Sequence, residues 1–263
     1  MCMTANPPIP SSALFNLSLA KGLQVLCAFG SGHRYLSLGE IAQRTGMTKA
    51  SAQRSVHTLQ VLGYVGKHSG SQRFCLQPRV VELGFNYLDG HPLIVAAHSY
   101  LAQLSKDSGE TVTLTEPNGQ HMLYLAQVQT TQHIPVLTPV GSRVPMYASS
   151  CGRAYLSSLP QAQWQPMLEA MERPALTRYT QTQIPDILRQ LLRCCDKGYA
   201  VNCEELFLGD MGIAAPILNS RQQVVGAVHV APPVSRWSME DAEATLAPLV
   251  VECARAISRL TSL

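Results

Sequence analysis

From Leu19 the apolar residues Leu19, Leu23 and Leu26 recur at i, i+4 and i+7, the stripe of an amphipathic helix, and Gly30-Ser31-Gly32 ends it. A second helix opens at a capping box, Ser37 followed by Glu40, with Ile41 and Ala42 as its buried face and Gly46 at the left-handed closing position. Thr48 then caps a third helix on which Ala52, Val56, Leu59 and Leu62 share one face up to Gly63. Two short helices joined by about three residues with a glycine have the outline of a helix-turn-helix. Behind them, strand-like Tyr64-Val65 and Phe74-Cys75-Leu76 flank a polar tip that carries Lys67 and Arg73, which makes the module winged. Pro78 restarts the chain into a helical segment with Val81, Phe85 and Leu88 on one side, closed by Asp89-Gly90-His91-Pro92.

Beyond Pro92 the pattern becomes mixed. A helix over 93–108 precedes an antiparallel hairpin, strands 111–115 and 122–128 about the turn Pro117-Asn118-Gly119. Helices are expected from Gly152 and over 187–195. Strands follow at 199–203, 212–218 and 224–230, and a long terminal helix begins at the capping box Ser238 and Asp241. The fold class is therefore α+β: an N-terminal winged helix-turn-helix at 16–78 after a loose tail over 1–15, a linker helix at 79–92, and at 93–263 an antiparallel sheet with flanking helices, a sensor-like domain.

Charge sharpens this division. Residues 1–91 hold eight Lys and Arg against three acids, while the remainder holds 12 against 14. A basic module joined to a faintly acidic one points to a polyanion, double-stranded DNA, at one end only. Eight cysteines without a C-x-x-C or paired histidines argue against a zinc site and against a secreted disulfide scaffold, and no cofactor motif is present. The start lacks a signal-peptide n-region, and no apolar run is long enough for a membrane span, so a reducing cytoplasm is the expected compartment.

On the third helix, Ala50, Gln53, Arg54 and His57 point away from the apolar stripe, and the first turn also presents Lys49 and Ser51. Such a face fits the major groove, where Arg pairs bidentately with guanine and Gln with adenine, while Lys49 suits a phosphate. Lys67 and Arg73 on the wing reach the backbone or minor groove. For Lys21 and Arg44 an ordinary surface charge is an equal reading.

Several stretches together resemble the IclR-type transcription regulators: SLAKGLQVL at 18–26, the helix pair over 38–63, VVELG at 80–84, GETV at 109–112, VGSRVP at 140–145, CGRA at 151–154, GYAV at 198–201 with Glu204-Glu205, AAP at 214–216 and APLV at 247–250. The resemblance spans nearly the whole chain in order. It implies a DNA-binding winged domain, a linker helix that helps dimerisation, and a GAF-like domain that binds a small effector, assembled as a homodimer or dimer of dimers. Phe29-Gly30, Gly141-x-Arg143-x-Pro145 and the Tyr147 region are most similar to the subgroup controlling aromatic-acid catabolism.

The family's effector positions, carried onto this chain, are Ser150, Cys151, Asn202, Gly212 and His229 with Ala231. Physical chemistry agrees for the first pair, since Ser149, Ser150 and Cys151 lead into a helix N-terminus, whose unpaired N–H groups seat an anion. Family members often carry an acid where this chain has Asn202 and a small hydroxyl residue where it has His229. The exchange makes the site less negative and favours a carboxylate. Arg143 is a candidate carboxylate clamp, with Met146, Tyr147, Leu123 and Tyr124 as walls for a ring. Glu204 and Glu205, adjacent on a strand, face opposite ways and are expected to be structural.

The expected function is thus a transcription regulator, not an enzyme, controlled by a small aromatic carboxylate. One alternative is an IclR-type repressor that responds to a non-aromatic acid. Another treats Cys151 as a nucleophile with His229 as base and Glu204 or Glu205 as orienter, a cysteine hydrolase, which leaves the winged module unexplained. A redox switch at Cys194-Cys195 ranks low, because adjacent cysteines form poor disulfides.

Overall fold

The computed structural model describes residues 12–30, 32–132 and 138–261. Of the expected tail over 1–15, residues 1–11, Cys2 among them, lie outside the described residues. The chain divides into two compact units, 1–87 and 88–263.

The first unit opens with α1 (Leu17–Ala28), whose first turn is capped by the Asn16 side chain. After β1 (Leu36–Ser37) comes α2 (Leu38–Thr45), where Ser37 and Glu40 close a full capping box and Gly46 ends the helix with φ 68°. Helix α3 (Lys49–Val61) is capped by Thr48. Strands β2 (Val65–Lys67) and β3 (Arg73–Leu76) form the wing and pair in the order β1-β3-β2. The core is Val25, Ala28, Phe29, Leu36, Ile41, Ala52, Val56, Leu59, Val65 and Phe74. This corrects the expected face of α1. Val25 and Ala28 are buried, whereas Leu19 and Leu23 are exposed, because the helix is rotated to put its smaller residues against α3. Leu62 likewise lies beyond the buried stripe of α3 and is exposed. Helix α4 (Arg79–Leu88) buries none of its residues, and Val81, Leu83 and Phe85 stand in solvent.

The second unit starts with α5 (Pro92–Ser108) and continues through β4 (Thr111–Asn118), β5 (His121–Val128) and the short β6 (Arg143–Pro145). Helices α6 (Ser150–Ser157), α7 (Gln161–Ala170) and α8 (Ile184–Lys197) follow. Then come β7 (Ala200–Cys203), β8 (Met211–Leu218), β9 (Val224–Ala231) and α9 (Met239–Leu260), which Ser238 caps. The six strands form one antiparallel sheet in the order β6-β5-β4-β9-β8-β7. The sequence pattern had not marked β6, which is three residues long, or α7, which carries Pro166 inside it.

The two faces of this sheet differ in kind. Toward α5 and α9, Val112, Leu114, Ile213, Ile217, Val228 and Val230 make an aliphatic core. Toward α6, the same strands present Thr113, Thr115, Gly212, Ala214, Ala227 and His229, mostly small or polar. Alternation along each strand sends neighbours to opposite faces, so one sheet can support both surfaces.

Helix α6 approaches its own entry loop closely enough that a Cβ at Gly152 would lie 2.2 Å from the Met146 Cα and 2.4 Å from its carbonyl oxygen. Backbone does not yield as a side chain does. Gly152→Ala should therefore lower stability by about 1–3 kcal/mol, as overpacking does. Urea unfolding of the variant measures it, and an unchanged midpoint would mean that the entry loop gives way freely.

Candidate functional site

The proposed recognition face stands clear of the first unit's core. Lys49, Ala50, Gln53, Arg54 and His57 of α3 are exposed, and Ser51 is half-buried with its N–H donating to the Thr48 hydroxyl at 3.2 Å. Lys67 at the wing is exposed too. Arg73 is already engaged, donating to the Tyr35 carbonyl at 2.9 Å and lying 3.3 Å from the Glu40 carboxylate. Arg44 donates to the Ala28 carbonyl at 3.0 Å, which gives it a structural task in holding α1 and α2 together. Arg79, which the sequence did not single out, closes the C-terminus of α3 by donating to the Leu62 carbonyl at 2.8 Å, with its guanidinium over the Tyr64 ring.

In the second unit the site grows from the sheet's α6 face. Ser149 caps α6, accepting from the Gly152 N–H at 3.2 Å, and its hydroxyl donates to the Pro145 carbonyl at 2.7 Å. Ser150 and Cys151 in the first turn are thereby laid over the sheet. The register pairs Asn202 with Gly212, and Ala214 and Thr113 with His229. Gly212 is the centre of the arrangement. A Cβ there would lie 2.4 Å from Asn202 Oδ1, 2.5 Å from Ser150 Oγ and 2.8 Å from His229 Nε2. Three polar groups from three elements thus converge where a side chain at position 212 would stand, and only glycine lets them meet. All three side chains are buried, and neither Ser150 Oγ nor His229 Nδ1 has a hydrogen-bond partner within the described residues. Asn202 Nδ2 donates to the Ala148 carbonyl at 3.5 Å, leaving Oδ1 toward Gly212. Buried polar atoms without partners cost about 1–3 kcal/mol each, so two of them at one junction make it the candidate ligand site.

Burial also sets the protonation states. It lowers the pKa of His229 to about 4, so the imidazole is neutral at pH 7 and offers one donor and one acceptor. It raises the Cys151 thiol to about 11 despite hydrogen bonding from Ser149 and Thr115. A nucleophilic cysteine needs the reverse, a thiol pulled down by a protonated histidine. Cys194, buried and accepting from the Ser157 hydroxyl at 3.0 Å, also sits at about 11. Among the described residues no group of three His, Cys, Asp or Glu is placed to hold a metal.

The expected clamp and walls are only partly assembled here. Arg143 pairs with Leu123 and Val144 with Met122, and Met122 and Val144 belong to the α6-side core, so Arg143 shares the opposite face with Leu123. There, burial and the Arg143 charge together push the His121 pKa down. Neither Arg143 nor Leu123 reaches the convergence at Gly212. Met146 and Tyr147 are buried in the layer behind α6, and the Tyr147 hydroxyl donates to the Pro174 carbonyl at 2.5 Å. Tyr124 does face the site, its ring 6.4 Å from the His229 ring, and burial pushes its phenol well above the ordinary value. These departures come from strand parity, which a sequence read without a register leaves open by one residue.

Glu204 and Glu205 are not on a strand. They lie in the bend after β7, with Glu204 at φ 53°. Glu205 accepts two hydrogen bonds at 2.6 Å from Arg153, and Arg153 Nε donates to the Tyr147 carbonyl at 3.0 Å. The Gln181 N–H also donates to Glu205, at 3.0 Å.

Comparison with known proteins fits this architecture at both ends. Residues 85–259 match the family described as bacterial transcriptional regulator IclR C-terminal, and residues 18–69 match the IclR helix-turn-helix domain. The chain belongs to the IclR family. It is a DNA-binding transcription regulator with an effector-binding domain. It is 31% identical to the Pca regulon regulatory protein of Pseudomonas putida, over 92% of this chain and 82% of that one. Among solved structures it is similar to an IclR family transcriptional regulator of Brucella abortus, at 25% identity and TM-score 0.81, over 97% and 96% of the two chains. It shares its fold with an IclR homolog of Microbacterium hydrocarbonoxydans, solved as a complex with 4-hydroxybenzoate, at 22% identity and TM-score 0.75, over 92% and 98%. Among the described residues no helix is long and apolar enough to cross a membrane.

Two predictions follow from this chemistry. Removing one partner of a buried ion pair strands the other charge, so Glu205→Ala should destabilise the second unit by about 3–5 kcal/mol; chemical denaturation is the measurement, and a loss below that of an ordinary surface change would count against the pair. For His229, the unfolded imidazole takes up a proton near pH 6.5 while the buried one resists until about pH 4. Stability present above pH 6.5 is therefore lost as pH falls through that window, by about 3 kcal/mol at most. Compared with His229→Gln, the natural chain should lose that extra stability between pH 6.5 and 4, and parallel stability profiles would show that His229 is solvated.

Proposed function

We propose that this IclR-family regulator is controlled by a small aromatic carboxylate that binds at the first turn of α6, over Gly212. The observation that carries the reading is the pair of unpartnered buried atoms, Ser150 Oγ and His229 Nδ1, gathered at Gly212 beside a helix N-terminus. An anion placed there meets the first-turn N–H groups of α6, the Ser150 hydroxyl and an imidazole N–H. Tyr124 and the methyl-bearing floor of Thr113, Thr115 and Ala227 offer a ring an apolar side. Arg143 has no part in this seat. The Pca regulon regulator among the relatives, and the 4-hydroxybenzoate complex of a protein with this fold, support an aromatic ligand. A carboxylate and its uncharged amide separate the readings. The acid should stabilise the protein in a thermal-shift assay, with Ser150→Ala weakening it about three- to thirtyfold, the scale of one hydrogen bond to a charge. Equal response to acid and amide would sink the carboxylate seat.

At the other end, α3 enters the major groove of an operator in the cytoplasm, Arg54 and Gln53 read base edges, and Lys49 and Lys67 hold phosphates. Ala50, Ser51 and His57 lie on the same face. The exposed apolar residues of α1 and α4, Leu19, Leu23, Val81, Leu83 and Phe85, support a homodimer formed through these helices. Arg54→Ala should cost about 1–3 kcal/mol of operator binding and relax preference at one base pair, whereas Lys67→Ala should weaken all sequences alike and flatten the salt slope by about one unit. Quantitative gel shifts at several salt concentrations check both, and an Arg54→Ala protein with full affinity and unchanged preference would overturn this orientation of α3.

A further inference from the structure

One acid of the second unit has no role in the arrangement described so far. Strand β8 sends Met211, Ile213 and Ala215 into the aliphatic core and Gly212 and Ala214 to the α6 face. Asp210 precedes Gly212 by two residues and bridges to Pro233, continuing the register that pairs Ala214 with His229. It therefore stands in the same row as Gly212, roughly 7 Å further along. Its charge acts on the Tyr124 phenol, which also faces the site, and raises that group's pKa further. Burial lifts the Asp210 carboxyl to about 7, with the Met211 N–H drawing it the other way. Among the described residues no cation lies at ion-pair distance from it. Arg153 is held by Glu205, and Arg143 is across the sheet.

We propose that Asp210 is a specificity-determining residue of the effector site, a half-buried acid opposite the carboxylate seat that admits a ring bearing a hydroxyl and rejects a ring bearing a second anionic group. This rests on the effector reading above and goes beyond it, since it divides monocarboxylates from dicarboxylates. With the effector's carboxylate over Gly212, the distal end of a benzene-sized ligand spans the distance to Asp210. A hydroxyl there donates to the carboxylate or accepts from the acid. A second carboxylate brings two like charges together with nothing between them, and one of the two must take a proton before the ligand can seat. Even a monoanion over Gly212 disfavours the Asp210 anion, so binding near neutral pH takes up a proton at Asp210. The other titratable groups facing this region are Tyr124 from β5, Cys151 from α6 and His229 from β9, while Cys203, exposed on the opposite parity to Asn202, and Glu204 lie at the end of β7. At pH 7, Tyr124, Cys151 and Cys203 are neutral because burial raises each, and His229 is neutral because burial lowers it.

The test is calorimetry on the full chain with 4-hydroxybenzoate, terephthalate and the monoamide of terephthalate, for the natural protein and Asp210→Asn. The natural protein should bind 4-hydroxybenzoate and the monoamide about tenfold or more tighter than terephthalate, and Asp210→Asn should close most of that gap by gaining terephthalate. Repeating the titration in buffers of different ionisation enthalpy should show proton uptake in the natural protein and none in the variant. The natural protein's preference between terephthalate and its monoamide needs no variant, so a misfolded Asp210→Asn does not silence the test. Equal binding of terephthalate and its monoamide, or an Asp210→Asn protein that keeps the gap and the proton uptake, would overturn the inference while leaving the carboxylate seat standing. Failure of all three acids to bind would overturn the effector reading itself, and this one with it.

Discussion

Arg153 carries a full positive charge into a place water does not reach, and the second unit is organised around neutralising it. A buried guanidinium is tolerable only when its charge and all its donors are matched. Glu205 takes two of them in a forked pair, and the Tyr147 and Val201 carbonyls take others at 3.0 and 3.2 Å. Those partners come from the entry loop of α6, from β7 and from the bend after β7, so satisfying one side chain fixes three segments at once. The bend is held in turn, with the Thr177 and Thr180 hydroxyls donating to the Glu204 and Glu205 carbonyls at 2.6 and 2.7 Å. The forked pair defines where α6 lies, and α6 carries Ser150 and Cys151.

What that position achieves is a polar junction on one face of the sheet and an apolar core on the other. On the α5 and α9 side, branched aliphatic residues form one continuous buried cluster. On the α6 side the strands supply Gly212, Ala214, Ala227, Thr113 and Thr115 beside His229 and Tyr124, and the apolar cluster continues around Met122, Trp164, Leu168 and Leu191. A sheet that buried large residues on both faces would be more stable and could bind nothing. The local cost on this face lies in the unpartnered Ser150 and His229 atoms and in the partial burial of Asp210. Asp210 and His229 work in opposite senses with pH. Stability from the raised Asp210 carboxyl is lost as pH rises through about 7, and stability from the lowered His229 imidazole is lost as pH falls toward 4.

The first unit makes a different use of its surface. Its core is small, and residues that would enlarge it are left outside: Leu19 and Leu23 on α1, then Val81, Leu83 and Phe85 on α4. These exposed apolar residues on two helices are where the proposed homodimer would form, distinct in chemistry from the polar face of α3. The recognition helix can then remain polar, because it contributes only Ala52, Val56 and Leu59 to the fold.

The amino-acid sequence by itself determined whatever depends on near neighbours. The capping box of Ser37 and Glu40, the caps at Thr48 and Ser238, the left-handed glycines at 46 and 198, the wing and the outward polar face of α3 are all local, so the spacing of a few residues specifies them. Ser150, Cys151, Asn202, Gly212 and His229 were legible through family resemblance, and the structure brings them together. Tertiary structure alone decided which face each strand residue takes and which side of α1 is buried. Parity moved Arg143 and Leu123 away from the site and placed Asp210 in its row, since a strand has no preferred face until its partners fix the register. Leu19 and Leu23 match the helical period as well as Val25 and Ala28 do, and only close packing against α3 chose between the two stripes. Protonation followed the same rule. The near-neutral pKa of Asp210 and the neutral His229 are consequences of burial, a property of the folded arrangement that no short stretch of sequence contains.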